Sequence, residues 1–294
     1  MTMIQYKFKI RTILVLSVLS LFWLNSCHEE FPMSYDSTYT RLVVDGSMTS
    51  DTGKHYVRLT KSGDALNQNP VIPVTGAIVN ISDGDSVFHL KPVINVNGLY
   101  VTDSTVFGIL GKTYTLNITN VDINDDGVLE EYSAKSVLKF ENPIDSIHIK
   151  YQVFNSHAKR WIINMTAKDN GGGRNFYLMK VYKNDTLLTD SIQEYINIAD
   201  NSGFEGRYYY NFPVYFLSGQ KKDEIIHKGD KITLEMDGIT QEYYRFIMDY
   251  ILEYYPKIPI FSGPSANIST NIEPKDKAIG FFTAYSIQRK TVIY

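Results

Sequence analysis

The sequence has only one cysteine, Cys27, among 294 residues. One cysteine cannot form an internal disulfide, so a folded body of this size must be stabilised by buried apolar and aromatic side chains. After the amino-terminal hydrophobic run there is no second run long enough to suggest a membrane span. No extended cluster of Lys and Arg follows Arg11, which argues against the basic surface that nucleic-acid binding requires.

The amino terminus has the pattern of a bacterial lipoprotein signal peptide. Three cations (Lys7, Lys9, Arg11) precede a short apolar run, Ile13 to Leu24, and Asn25-Ser26-Cys27 follows. The run is too short to span a bilayer stably, which disfavours the alternative of an uncleaved anchor helix. We therefore expect residues 1–26 to be removed and Cys27 to carry the lipid. Loss of the three cations would change the net charge from −3 to −6.

Residues 27–40 contain acids, serines and threonines without sustained periodicity, as expected for a flexible tether. The remaining length suits two domains at about 100 to 150 residues each. The Glu-Asn-Pro interruption at 141–143 places the predicted boundary between 41–142 and 143–294.

Hydrophobic alternation predicts a mainly β protein. Residues 113–119 (TYTLNIT) alternate apolar and polar side chains, which is typical of a half-buried strand. Similar short strands predict an immunoglobulin-like or prealbumin-like β-sandwich over 41–142. The second domain is predicted to be β-rich with one amphipathic helix at about 240–255, for which Thr240 is the expected N-cap.

One string resembles the first half of a calcium-binding loop. Asp122, Asn124, Asp126, Val128 and Glu130 occupy the ligand spacing, with glycine at position six. Position twelve, however, is serine rather than the glutamate that completes such a site, and predicted strands flank the string. The alternative is a polar hairpin tip, because the same residue types form tight turns.

Tyrosine is abundant, with 22 residues. In the run Tyr208, Tyr209 and Tyr210, neighbouring side chains of a strand must point to opposite faces, so part of the run is expected to be exposed. Sheet packing, sugar stacking and a protein interface all remain open for these rings.

No catalytic motif is visible in the sequence. It has no Gly-x-Ser-x-Gly elbow, no His-Glu-x-x-His string and no phosphate-binding glycine loop. The six histidines are scattered, and paired acids lie in polar contexts. We therefore expect a protein that is not an enzyme, with hydrolase activity as the least favoured alternative.

Several ordered segments together resemble the DUF4249 family of Bacteroidota lipoproteins. They span nearly the whole mature chain: LVVDG at 42–46, VTGAIVNI at 74–81, GLY at 98–100, GKTYTL at 111–116, PIDS at 143–146, ANISTNI at 266–272 and GFF at 280–282. The acidic hairpin at 122–131 departs from the pattern, so any role of that hairpin would be peculiar to this chain.

The resemblance implies an outer-membrane lipoprotein that faces the cell exterior and accompanies a TonB-dependent (SusC-like) transporter in nutrient uptake. Glu29 and Glu30, directly after the lipidated cysteine, look like a surface-export signal. The family supplies no catalytic residues. The alternative is a stand-alone surface lipoprotein that binds a glycan or a peptide. The ligand, whether small molecule, peptide or glycan, is not specified by the sequence.

Overall fold

A computed structural model describes residues 40–63, 71–139, 142–155, 158–169, 171–188, 197–254 and 268–294. The predicted signal peptide, Cys27, Glu29, Glu30 and the tether up to residue 39 lie outside the described residues. Within the described ranges, no helix is both long and apolar enough to cross a membrane.

The described residues form sixteen strands and one helix. The first eight strands are β1 (Leu42–Thr49), β2 (Tyr56–Lys61), β3 (Ile78–Ser82), β4 (Val87–His89), β5 (Lys91–Pro92), β6 (Leu99–Val101), β7 (Thr113–Val121) and β8 (Glu130–Val137). The others are β9 (Ile144–Asn155), β10 (Ala158–Lys168), β11 (Phe176–Lys183), β12 (Thr186–Leu187), β13 (Asn197–Asp200), β14 (Tyr208–Ser218), β15 (Lys231–Ile239) and β16 (Ala278–Ile293). The helix α1 (Gln241–Tyr254) lies between β15 and β16.

One long sheet runs through the molecule in the order β12-β11-β15-β16-β1-β2-β6-β5, with β13 also paired to β11. Strands β1 and β16 pair in parallel, from Leu42 opposite Ala278 to Thr49 opposite Tyr285. Every other strand pair among the described residues is antiparallel. Two smaller sheets, β4-β3-β7-β8 and β14-β10-β9, pack against it.

The amino-terminal part is a sandwich between the β4-β3-β7-β8 sheet and the β1, β2 and β6 region of the long sheet. Alternation in β7 buries Tyr114, Leu116 and Ile118 against Leu42 and Leu59. The buried faces exclude water over a continuous apolar cluster, which is the main source of stability in a chain without disulfides.

A second sandwich places the β14-β10-β9 sheet on the β11 and β15 region of the same long sheet. Its core contains Ile163 and Leu217 from the small sheet, and Val181 and Leu234 from the long one. Both sandwiches therefore share the long sheet. The face of the long sheet that the small sheets do not cover carries polar residues and α1.

Helix α1 covers part of that opposite face. Thr240 Oγ1 accepts a hydrogen bond of 3.2 Å from the Tyr243 N–H, which confirms Thr240 as the N-cap. The apolar stripe of the helix packs on the sheet, with Tyr243 and Phe246 each about 5.1 Å from the Phe281 ring.

The predicted mainly β fold with a single helix is confirmed. The two sandwiches are consistent with the predicted sandwich class. The predicted division between 41–142 and 143–294 stays a prediction about independent domains. The strands on its two sides are joined, because β16 pairs with β1 on one edge and with β15 on the other.

Candidate functional site

Strand β14 carries the tyrosine run at the edge of the β14-β10-β9 sheet. Tyr208 and Tyr210 are 43% and 72% exposed, and their rings stack at 5.0 Å with an interplanar angle of 20°. Tyr209 points to the other face, is 9% exposed and stacks on Phe204 at 4.5 Å. Tyr208 and Tyr210 thus form an exposed aromatic pair, which we call the tyrosine pair.

The tyrosine pair lies on the solvent-facing side of the small sheet. Tyr208 is opposite the exposed Lys168 of β10, and farther along β14 the exposed Phe216 is opposite Ile162. Aromatic rings next to a cation can stack on the apolar face of a sugar or on a flat side chain, while the phenol hydroxyls form hydrogen bonds.

A buried carboxylate positions the start of β14, and sequence reasoning missed it. Asp169 Oδ1 accepts hydrogen bonds from the Gly171 N–H at 2.6 Å and the Gly206 N–H at 3.3 Å. Its Oδ2 accepts from Asn201 Nδ2 at 2.8 Å and from the Tyr209 hydroxyl at 3.5 Å. Burial, followed by the Asp169 charge, raises the pKa of Tyr209. Asp169 therefore ties the glycine loop after β10 to the turn before the tyrosine pair.

The acidic string forms the turn between β7 and β8. Asp122 accepts the N–H groups of Asp126 and Gly127 at 3.1 and 2.9 Å, and Asp126 accepts the Val128 N–H at 2.8 Å. Glu130 Oε2 accepts the Ile123 N–H at 3.0 Å. These bonds are those of a side-chain-supported turn, which supports the hairpin-tip alternative.

Asn124 lies exposed at the same tip. No group of three or more His, Cys, Asp or Glu side chains in the described ranges is arranged to hold a metal ion. Calcium binding at Asp122, Asn124, Asp126, Val128 and Glu130 stays a prediction.

The helix-side face of the long sheet carries an ion network that the sequence reasoning also missed. Lys180 Nζ on β11 lies 3.0 Å from Glu235 Oε1 and 2.5 Å from Asp237 Oδ2, both on β15. Arg289 on β16 bonds Glu235 Oε2 through Nε and Asp51 Oδ2 through Nη1, each at 2.6 Å. We call these five residues the Lys180 network.

Burial shapes the electrostatics of this network. Asp237 is fully buried, and its Oδ1 has no hydrogen-bond partner among the residues that the structure describes. Burial raises the pKa of this carboxyl to about 7. Burial alone would lower the pKa of Lys180, but Asp237, Tyr285 and Glu235 outweigh it and raise that pKa. Lys180 Nζ also lies 5.2 Å from the centroid of the Tyr285 ring. Lys180 is thus held as a cation, and the network fixes three strands of the sheet together.

A polar groove of about 620 Å³ lies between β8, the first turn of α1 and the segment before β16. Lys135, Arg245 and Lys275 line it together with Glu242 and Glu273. Charges of both signs on an open surface suit a small zwitterionic or polar molecule better than an apolar one.

No curated protein matches the chain. The sequence profile of the family described as "Domain of unknown function (DUF4249)" matches residues 28–291, nearly the whole chain. Because the match extends from just after Cys27 through most of β16, it includes both sandwiches, the tyrosine pair and the Lys180 network. The chain belongs to the DUF4249 family.

Proposed function

We propose that this chain is a non-enzymatic, lipid-anchored outer-membrane accessory protein of a TonB-dependent (SusC-like) transporter. Its role would be to help capture the ligand or to cap the transporter at the cell surface. The lipoprotein-type sequence ending in Cys27 supports the anchor, and Glu29 and Glu30 support export to the surface. The resemblance to DUF4249 lipoproteins supports the partnership with a transporter.

The observation that carries the proposal is the short sequence distance between Cys27 and the first described strand. The described structure starts at Thr40, and β1 enters the middle of the long sheet at Leu42. Only twelve residues, 28–39, lie between Cys27 and Thr40, so thirteen chain steps join them. At about 3.3 to 3.6 Å per extended residue, a lipid on Cys27 would keep the first strand within about 45 Å of the membrane. A transporter in the same membrane would lie within reach.

The second candidate is a stand-alone surface lipoprotein that binds a glycan or a peptide. The tyrosine pair favours it, because two exposed stacked rings offer a ready platform for a ligand. The second candidate requires ligand contact at this pair, and only the first predicts a stable membrane partner.

Co-purification in mild detergent separates the two candidates. The accessory role predicts a β-barrel transporter bound to the tagged chain at near-equal amount, whereas the stand-alone role predicts the chain without a partner. Retention on glycan and peptide arrays then tests the tyrosine pair through the double variant Tyr208→Ala/Tyr210→Ala. Tyr254→Ala, at a 44% exposed position on α1, is the matched control. Equal retention by both variants would remove the pair from the binding surface.

A further inference from the structure

Four chain segments converge at the end of the first sandwich at which β1 begins. The Arg41 N–H bonds Ser62 Oγ at 2.9 Å, and the Lys61 N–H bonds the Ile72 carbonyl at 2.8 Å. Lys61 Nζ reaches Asp125 of the β7–β8 turn at 2.8 Å. The Gly98 backbone packs against Pro73, which brings in the β5–β6 turn. We call this convergence the tethered end.

The loops of the tethered end expose aliphatic side chains. Their exposed fractions range from 39% to 85%. They are Val71, Ile72, Ile94, Val96, Val128 and Leu129. They come from three separate loops, each held to the others through the contacts of β2, so the side chains are presented together at one end of the sandwich. Exposed apolar clusters of this kind mark contacts with a membrane or with another protein.

A bilayer suits this end better than a protein surface does. Cys27 precedes Thr40 by thirteen positions, so an acyl chain on Cys27 would keep the start of β1, and with it these loops, near the lipid surface. A short link raises the effective concentration, so even a weak affinity of each loop for lipid gives substantial occupancy. Burial of aliphatic side chains in the headgroup and acyl boundary needs no shape-complementary partner.

We propose that the tethered end rests on the lipid bilayer, with the Ile94 and Val128–Leu129 loops inserted into its interfacial layer. This inference rests on lipidation of Cys27, which belongs to the proposed function. Acidic residues flank the inserting side chains: Asp126 is exposed, and the 83% exposed Asp125 side chain is only partly offset by Lys61. Anionic headgroups should therefore weaken the contact, and zwitterionic lipids should favour it.

The test uses the single native cysteine. Once Cys27 carries lipid, a new cysteine is the only free thiol, so Ile94→Cys and Leu129→Cys can each be labelled with an environment-sensitive dye. Leu110→Cys is the matched control, because Leu110 is similarly exposed but lies at the opposite end, where the Gly108 N–H bonds the carbonyl of Thr49, the last residue of β1. The full lipidated protein is reconstituted into phosphatidylcholine vesicles with or without a quencher attached to the acyl chains.

We expect a blue shift and quenching at positions 94 and 129, neither at position 110, and a smaller effect when phosphatidylglycerol is added. Equal signals at all three positions, or none at 94 and 129, would overturn the inference. Photo-crosslinkers at 94 and 129 in native membranes should capture lipid; capture of one protein at both positions would also overturn it, in favour of a protein interface. Mass spectrometry of Cys27 reports lipidation separately, so a failure of the proposed anchor is distinguishable from a failure of the loop contact.

Discussion

Removal of the Lys180 cation should destabilise the protein strongly, because it leaves Asp237 buried without an ionic partner. Asp237 is fully buried, and only 21% of the Lys180 side chain is exposed. Breaking a buried pair on one side typically costs about 3 to 5 kcal/mol. Even with Lys180 in place, burial raises the pKa of Asp237 to about 7, so the ionised carboxylate is unfavourable in the fold and depends on its cation.

We therefore expect Lys180→Met to lower the free energy of unfolding by about 3 to 5 kcal/mol at pH 8. The loss should shrink as pH falls toward 4. A carboxyl with a raised folded pKa binds its proton in the folded state first, so stability increases as pH falls through the window between the folded and unfolded values. Urea unfolding followed by circular dichroism at pH 5 and pH 8 measures both effects.

Two further variants make the test specific. In Lys180→Met/Asp237→Asn the unpaired charge is gone, so most of the lost stability should return. Lys231→Met is the matched control, because Lys231 pairs with the exposed Asp185 and such surface pairs contribute about 0 to 1 kcal/mol. A Lys180→Met cost as small as that of Lys231→Met, or no recovery in the double variant, would refute the reasoning.

Three other predictions follow from buried groups and backbone geometry. His55 Nδ1 accepts the Thr49 N–H at 3.2 Å, and burial lowers the pKa of His55. The contribution of His55 to stability should therefore fall as pH drops below about 6.5, and urea titrations should show that His55→Gln removes this part of the pH dependence. Gly280→Ala should cost far more than Gly84→Ala in thermal unfolding, although both have φ near +92°. A Cβ at 280 would lie 2.0 Å from a backbone carbonyl oxygen, whereas the site at 84 is open. Asp169→Ala should lower the unfolding midpoint by several degrees and increase amide exchange in the Gly171 loop, whereas exchange unchanged there would contradict the positioning role.

The elements with a local periodic signal were predictable from the sequence. Apolar side chains at spacings of three and four residues predicted helix α1, and Thr240 predicted where it begins. Alternation gave the strands, including the opposite orientations of Tyr209 and its two neighbours in β14. The turn at Gly84 also follows from local chemistry, because glycine accepts positive φ there.

The long-range features had no comparable signal. Strand β1 pairs in parallel with β16, and Leu42 lies opposite Ala278. Neither segment contains a local pattern that indicates this pairing. The Lys180 network draws on β11, β15 and β16, so its ion pairs appear only once those strands are adjacent. The sequence hint for this network is Glu235 and Asp237, two residues apart in a strand that alternates polar and apolar side chains, which places both carboxylates on one face.

We propose above all that this chain is a lipid-anchored partner of an outer-membrane transporter. The most direct measurement is a pull-down from intact outer membranes through a carboxyl-terminal tag, followed by mass spectrometry of the bound proteins. We expect a TonB-dependent barrel at near-equal amount, together with a tagged chain that begins at a diacylated Cys27. A tagged chain recovered alone, or a chain that retains residues 1–26, would contradict it.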